Sequence, residues 1–541
     1  MDKDRLRPMQ QTIKFSYLEK PFKIKKMNKL IASCLIIIVF TACGENHKKA
    51  QNQSEEALRY QEEYRPQFHF SPEEKWMNDP NGLVYNEGVY HLFYQYYPED
   101  IIWGPMHWGH AVSKDLVHWK HKPIALYPDE HGLIFSGSAV VDKENTSGFG
   151  KYGETPLVAI FTYHSMDGEK AGRNDFQTQG IAYSLDNGNT WKKYENNPVI
   201  LNDGIKDFRD PKVFWHESSN SWILTLVAGD HAKFYSSKNL MDWKYLSDFG
   251  KSQGAHGGVW ECPDLFPLQV EGSNEKKWVL IISINPGAPN GGSGTQYFVG
   301  DFDGNTFTSN QQDPKWLDYG TDNYAGVTYN NVPGNRRLFI GWMSNWDYAR
   351  DIPTKKWRSA MTVPRQLALH KVEDDYYLAN YPIDEMDTLT SSKLINRVEV
   401  AAGATDTLQV EELNQSEIKL KTAAKNFQLL FKNELDEVLV LDVNSTNQTL
   451  TVDRTRSGKV DFQEDFGAKK HEAPLKGLKE GLHEYSILMD WSSMELFVDQ
   501  GMLTLTEQIF PTSSYNSLII VNEDSQVPIV VQSIKKMESI W

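Results

Sequence analysis

From residue 68 onward, short apolar and aromatic runs alternate with clusters of Gly, Asn, Asp and Pro. Residues 88–95 (GVYHLFYQ), 157–163 (LVAIFTY) and 278–283 (WVLIIS) are such runs. They are short, rich in β-branched and aromatic side chains, and bounded by turn formers, which predicts strands. No long amphipathic helical pattern occurs between residues 68 and 370. Residues 370–387 are mixed in character and read as a domain junction. Beyond it the alternation is cleaner, as in 417–421 (EIKLK) and 485–491 (YSILMDW), and 494–505 reads as a hairpin turning at Asp499, Gln500 and Gly501. One apolar and one polar face per strand predicts a two-sheet sandwich.

A weak repeat overlies the first pattern. Residues 113–119 (SKDLVHW), 184–191 (SLDNGNTW) and 236–243 (SSKNLMDW) each read as strand end, polar turn, then an aromatic opening the next strand; 301–307 (DFDGNTF) is a degenerate fourth copy. A hairpin recurring roughly every 50 to 70 residues suits the blades of a β-propeller. By itself the repeat leaves propeller and sandwich open.

At 541 residues the chain exceeds one ordinary core, so two domains are expected. The net charge of −16 repels phosphate backbones and argues against a nucleic-acid partner. A neutral sugar is compatible with it. Three cysteines, Cys34, Cys43 and Cys262, are too few for a disulfide framework. Residues 30–42 (LIASCLIIIVFTA) follow Lys25, Lys26 and Lys29. This stretch is shorter than the roughly 20 apolar residues a membrane span needs. A basic flank, a short apolar run and small residues before Cys43 predict a secretory signal over 1–42, with Met27 as a plausible start and the residues before it an upstream extension. Residues 40–43 (FTAC) resemble a loose bacterial lipobox, which implies lipidation of Cys43 and an exported cell-envelope lipoprotein held to a membrane. An ordinary cleaved signal is the alternative. Residues 43–63 read as a polar tether.

Three carboxylates occupy unusual settings: Asp79 in 76–82 (WMNDPNG), Asp210 in 208–211 (FRDP) and Glu261 in 259–264 (VWECPD). Each motif alone reads as a turn or strand end. In a propeller, however, the first strands of successive blades line one channel, so carboxylates distant in sequence can converge.

Together, and in this order, the motifs resemble glycoside hydrolase family 32, the invertases, levanases and exo-inulinases. Residues 93–98 (FYQYYP), 103–110 (WGPMHWGH), 135–138 (FSGS), 324–326 (YAG) and 341–346 (GWMSNW) extend the resemblance over about 64–540. The resemblance implies an all-β chain: a five-bladed β-propeller catalytic domain over 64–380, then a β-sandwich over 388–541. It implies Asp79 as nucleophile, Glu261 as general acid/base and Asp210 as transition-state stabiliser. Breaking the bond at fructose C2 builds positive charge on C2 and the ring oxygen. One carboxylate can collapse onto C2 while a protonated carboxyl opposite supplies the leaving oxygen with a proton. Asp79 must therefore begin ionised and Glu261 protonated, and Arg209 is expected to hold Asp210 charged. Asn78, Gln95, Ser136 and Arg209 suit sugar hydroxyls. Trp76, Trp103, Phe135 and Trp342 are expected to offer apolar walls, with Trp342 closing the far side. Cys262 has no adjacent His and reads as environment rather than nucleophile. No cofactor or metal is expected: the turns at Asp186 and Asp301 lack the spacing of a calcium loop. The expected reaction is exo-acting release of fructose from levan, inulin, fructo-oligosaccharides or sucrose. A fructosyltransferase, a non-catalytic fructan-binding surface lipoprotein and an enzyme for another furanoside are the rivals. Linkage preference and oligomeric state stay open.

Overall fold

Five antiparallel sheets follow one another along the first two-thirds of the chain. The first contains β1 (Lys75–Asn86), β2 (Val89–Tyr97), β3 (His107–Ser113) and β4 (Trp119–Leu126). The second contains β5 (Leu133–Val141), β6 (Leu157–His164), β7 (Gln177–Ser184) and β8 (Lys192–Lys193), with the short helix α1 (Met166–Lys170) between β6 and β7. The third contains β9 (Phe208–His216), β10 (Ser221–Ala228), β11 (Ala232–Ser237) and β12 (Trp243–Phe249). The fourth contains β13 (Val259–Gln269), β14 (Lys276–Asn285), β15 (Gly294–Phe302), β16 (Phe307–Thr308) and β17 (Lys315–Trp316). The fifth contains β18 (Tyr324–Thr328) and β19 (Leu338–Met343), then β21 (Ala360–Met361), β22 (Arg365–Val372) and β23 (Asp375–Pro382). Between β19 and β21 the chain sends β20 (Trp357–Arg358) back to pair in parallel with β1, tying the last sheet to the first. The structure is a computed structural model and describes residues 59–541 except residue 152. The expected signal segment, the Cys43 lipidation site and most of the tether lie outside the described residues.

The opening strands β1, β5, β9, β13 and β18 touch in sequence, and β18 touches β1, so they form a closed ring. Apolar clusters fill the gaps between neighbouring sheets. Val158 and Ile160 meet Leu224 and Leu226 between the second and third, and Ile223 and Phe234 meet Leu280 and Ile282 between the third and fourth. A sheet covered on both faces needs apolar residues at successive positions, which is why 157–163 reads as an unbroken run and β6 is buried throughout.

The recurring sequence elements occupy the third-to-fourth-strand connections of the first four sheets. In three of them one side-chain oxygen closes an Asx-type turn, and in the second sheet Asp186 reaches an amide four residues on. Asp115 Oδ1 accepts from the Val117 and His118 amides at 3.0 and 2.8 Å. Asn239 Oδ1 accepts from Met241 and Asp242 at 3.1 and 2.8 Å, and Asp303 Oδ1 from Asn305 and Thr306 at 2.8 and 2.7 Å. Asp186 Oδ1 accepts from Thr190 at 2.8 Å.

The remaining strands, between Thr390 and Met537, make a seven-stranded and a six-stranded sheet. Ile418, Leu496 and Leu505 of the first meet Phe427, Leu441 and Ile520 of the second in one core. Among the described residues no helix is long and apolar enough to cross a membrane.

Candidate active site

Every strand of the inner ring breaks register at the same end. The pairing shifts between Met77 and Pro80 in β1, Ile134 and Gly137 in β5, Arg209 and Lys212 in β9, Glu261 and Asp264 in β13, and Tyr324 and Val327 in β18. A bulge releases a strand from strict alternation and re-aims its side chains. These five bulges hold or border Asn78, Asp79, Phe135, Ser136, Asp210 and Glu261. Asp210, Cys262 and Ala325 sit there with φ of 64°, 47° and 53°. Left-handed backbone at non-glycine residues costs about 1–3 kcal/mol each, so the surrounding sheets must hold it in place.

The bulges surround a cavity of about 290 Å³ lined by Asp79, Asp210 and Glu261 together with Asn78, Gln95, Trp103, Phe135, Ser136 and Arg209. Asp79 accepts from Ser136 Oγ on Oδ2 at 2.6 Å and from Asn78 Nδ2 on Oδ1 at 2.9 Å. Burial and the nearby Glu261 charge raise the Asp79 pKa, while these two donors lower it. Asp210 takes the Cys262 amide on Oδ2 at 3.0 Å, and its own amide donates to Thr162 Oγ1 at 3.0 Å. The Cys262 sulfur lies 3.6 Å from Asp79 Oδ2 and 3.7 Å from Asp210 Oδ2; burial, then those carboxylates, push its thiol pKa well up. It is a protonated spacer between two acids, not a poised thiolate.

Glu261 is gripped on both oxygens. Arg209 Nη2 donates to Oε1 at 2.8 Å, and the Tyr324 hydroxyl donates to Oε2. The Arg209 expectation is thereby corrected. Its guanidinium bonds Glu261 and, through Nη1, Asp207 at 2.7 Å, leaving Asp210 Oδ2 at 3.8 Å from Nε. Asp210 is accordingly not held low: burial pushes its pKa up to about 7, with Arg209 opposing and Glu261 and Asp79 adding to the rise.

Trp76 and Trp342 are also corrected. Both are fully buried and neither lines the cavity. Trp76 instead donates from Nε1 to Asn78 Oδ1 at 2.7 Å, fixing the amide that serves Asp79. The wall is Trp346, whose ring packs on Trp342 at 4.9 Å and stacks on Trp76 at 5.9 Å. Trp342 lies one residue before the end of β19 with its ring turned into the core, and the loop beyond carries Trp346 to the surface of the cavity. His164, Glu169, Phe176, Gln177, Asp207, Asn285 and Arg350 complete the lining without having been anticipated. Asp207 lay three residues before Asp210 and was within reach of the motif; the others carry no local signal.

Residues 69–382 match the glycosyl hydrolases family 32 N-terminal domain and residues 385–538 the family 32 C-terminal domain. The chain belongs to glycoside hydrolase family 32. It is therefore a glycoside hydrolase. It is 47% identical over 493 residues to a levanase of Bacillus subtilis, covering 89% of this chain and 72% of that one. It is 41% identical over 520 residues to an extracellular exo-inulinase of Aspergillus awamori, covering 90% and 96%. The crystal structure of exo-inulinase from Aspergillus awamori superposes with a TM-score of 0.82 at 40% identity, over 89% of this chain and all (100%) of that one. A β-fructofuranosidase of Schwanniomyces occidentalis complexed with fructosyl-erythritol superposes with a TM-score of 0.77 at 32% identity, over 88% and 99%.

Proposed function

We propose that the chain is an exported, lipid-anchored, exo-acting β-fructosidase that releases fructose from fructans by a retaining mechanism. One observation carries the reading: Asp79, Asp210 and Glu261, from three different sheets, line one small cavity. The family 32 match and the levanase and exo-inulinase relatives supply the substrate class. Five sheets with a closed ring of inner strands support a five-bladed propeller over 64–380, and two sheets around one core support the sandwich over 388–541.

In this reading Asp79 attacks C2 while Glu261 passes its proton to the departing oxygen, leaving fructose bound to Asp79. Glu261 then takes a proton from water as that water attacks C2 and frees Asp79. Arg209 and Tyr324 fix the Glu261 carboxyl in place. Asp210, 5% exposed, grips ring hydroxyls. A cavity of about 290 Å³ lies at the small end of ligand pockets and suits a single terminal fructosyl unit, hence exo action.

Incubating the purified protein with sucrose, inulin and levan is expected to yield free fructose rather than longer oligomers. Asp79→Ala is expected to abolish turnover, and Glu261→Gln to lower kcat by about 10²- to 10⁴-fold. Turnover retained by Asp79→Ala would reject the mechanism. The anchor rests on the basic flank, apolar run and Cys43 of the first 43 residues. Cys43→Ala is expected to abolish palmitate labelling and membrane partitioning.

A further inference from the structure

We infer that Glu169, held by His164 and Gln177, recognises the sugar on the leaving side of the scissile bond. This rests on the reading of the cavity as a β-fructosidase site and adds a residue that governs specificity there.

The connection between β6 and β7 departs from the rest of the molecule. It carries α1, the sole α-helix among the described residues. The connection folds back on itself: Ser165 Oγ accepts from the Gly168 amide at 3.2 Å. Glu169 is thereby brought to the cavity mouth.

A directed chain of hydrogen bonds leads to it. Gln177 Nε2 donates to His164 Nδ1 at 3.2 Å, so the ring proton resides on Nε2, which donates to Glu169 Oε2 at 3.1 Å. Burial lowers the His164 pKa against the pull of Glu169, which keeps the ring neutral and this tautomer defined. The imidazole also stacks on Phe135 at 4.2 Å and 11°. His164 is 5% exposed and Glu169 is 48% exposed, so a buried, fixed imidazole presents a carboxylate to the open end of the cavity.

Two acceptor groups line the cavity. The half-exposed Glu169 carboxylate is bound through Oε2, and Gln177 Oε1 is buried at the cavity wall with no hydrogen-bond partner. A buried acceptor without a donor is costly to leave bare, and sugar hydroxyls are donors. Asp79 and Glu261 act on the fructosyl unit lodged deeper in the cavity. The sugar beyond the cleaved bond must then lie toward the mouth, where Glu169 stands. A charged acceptor makes the stronger hydrogen bond to a hydroxyl.

The test compares β-2,1- and β-2,6-linked fructobiose with methyl β-D-fructofuranoside, whose leaving group has no further hydroxyl. For Glu169→Ala the ratio of kcat/KM on fructobiose to that on the methyl fructoside is expected to fall about tenfold for at least one linkage, mainly through KM, as the loss of one charged hydrogen bond would give. The linkage with the larger fall is the one the mouth is built for. His164→Phe keeps the stack on Phe135 and is expected to lower the same ratio. The double variant should fall no further, since His164 acts through Glu169. A ratio unmoved in Glu169→Ala on both linkages overturns the inference, and additive falls overturn the positioning by His164. Wild-type protein inactive on all three substrates would instead refute the β-fructosidase reading itself.

Discussion

Asp210 concentrates the conflict between folding and chemistry in one residue. It is 5% exposed, left-handed in backbone, and close to two other carboxylates. Its pKa rises to about 7 in the folded chain, chiefly through burial, against about 3.9 when unfolded. Between these values the folded state holds a proton that the unfolded state has released, so stability falls as pH rises through this window and levels off above the folded pKa. Asp79, also raised, contributes with the same sign. Asp210→Asn removes a buried charge while keeping the shape. Relative to wild type it is expected to gain stability progressively from about pH 5 to about pH 8, by on the order of a few kcal/mol at the upper end, and to lose kcat. Urea midpoints at both pH values check this, and parallel profiles for the two proteins would contradict it. At this scale the sequence was legible where a motif placed a carboxylate at the cavity, as for Asp79, Asp210 and Glu261. It was illegible where a side chain's direction depends on distant packing. Trp342 and Trp346 lie four residues apart in one motif, and only the end of β19 decides which meets the cavity. Arg209 adjoins Asp210 in sequence, yet its guanidinium reaches across to the next sheet.

At the scale of elements, strands and turns were readable because their causes are local. The repeat predicts four turns, and each connection closes through one Asp or Asn oxygen. Asn239→Ala strips two backbone amides of their acceptor in the β11–β12 connection. It is expected to destabilise the protein by about 0.5–1.5 kcal/mol by denaturant titration, without altering kcat, since the turn lies far along the sheet from β9. The five bulges were not readable. A bulge is fixed by how a strand meets its neighbours: the Asp210 amide is held by Thr162 of the second sheet, and the Ala325 amide by Ser283 Oγ of the fourth at 3.0 Å. Proline and glycine in 79–82 (DPNG) suggest a turn, and the chain runs through as a bulged strand because β2 pairs with it at Pro80 and Asn81.

At the scale of the whole molecule, the two-sheet half supports the site through a shared edge. The strand Leu503–Gln508 ends the seven-stranded sheet. Its exposed side is covered by residues 318–322 of the catalytic half: the Tyr319 amide donates to Thr504 O at 2.9 Å and the Asp322 amide to Thr506 O at 3.1 Å. Covering an edge in this way protects it from pairing with other chains. Buried charges lock the seam. Asp318 accepts from Arg365 Nη1 at 3.0 Å and from Thr506 Oγ1 at 2.6 Å; Asp322 accepts from Arg454 Nη1 at 2.6 Å and from the Gln508 amide at 2.9 Å. The segment then runs directly into Tyr324, the residue that holds Glu261 Oε2. Gly320 permits this approach: a Cβ there would stand 2.1 Å from Thr506 O and 2.2 Å from Thr506 N. Gly320→Ala must push the two halves apart at a point where both contacting groups are backbone and cannot swing away. It is expected to lower Tm and, because Tyr324 lies only four residues on, to lower kcat more than KM in assays run well below the variant's own Tm. A lowered Tm with unchanged kcat would confine the seam to stability, and a fall in kcat would make the second domain part of the machinery that aims Glu261.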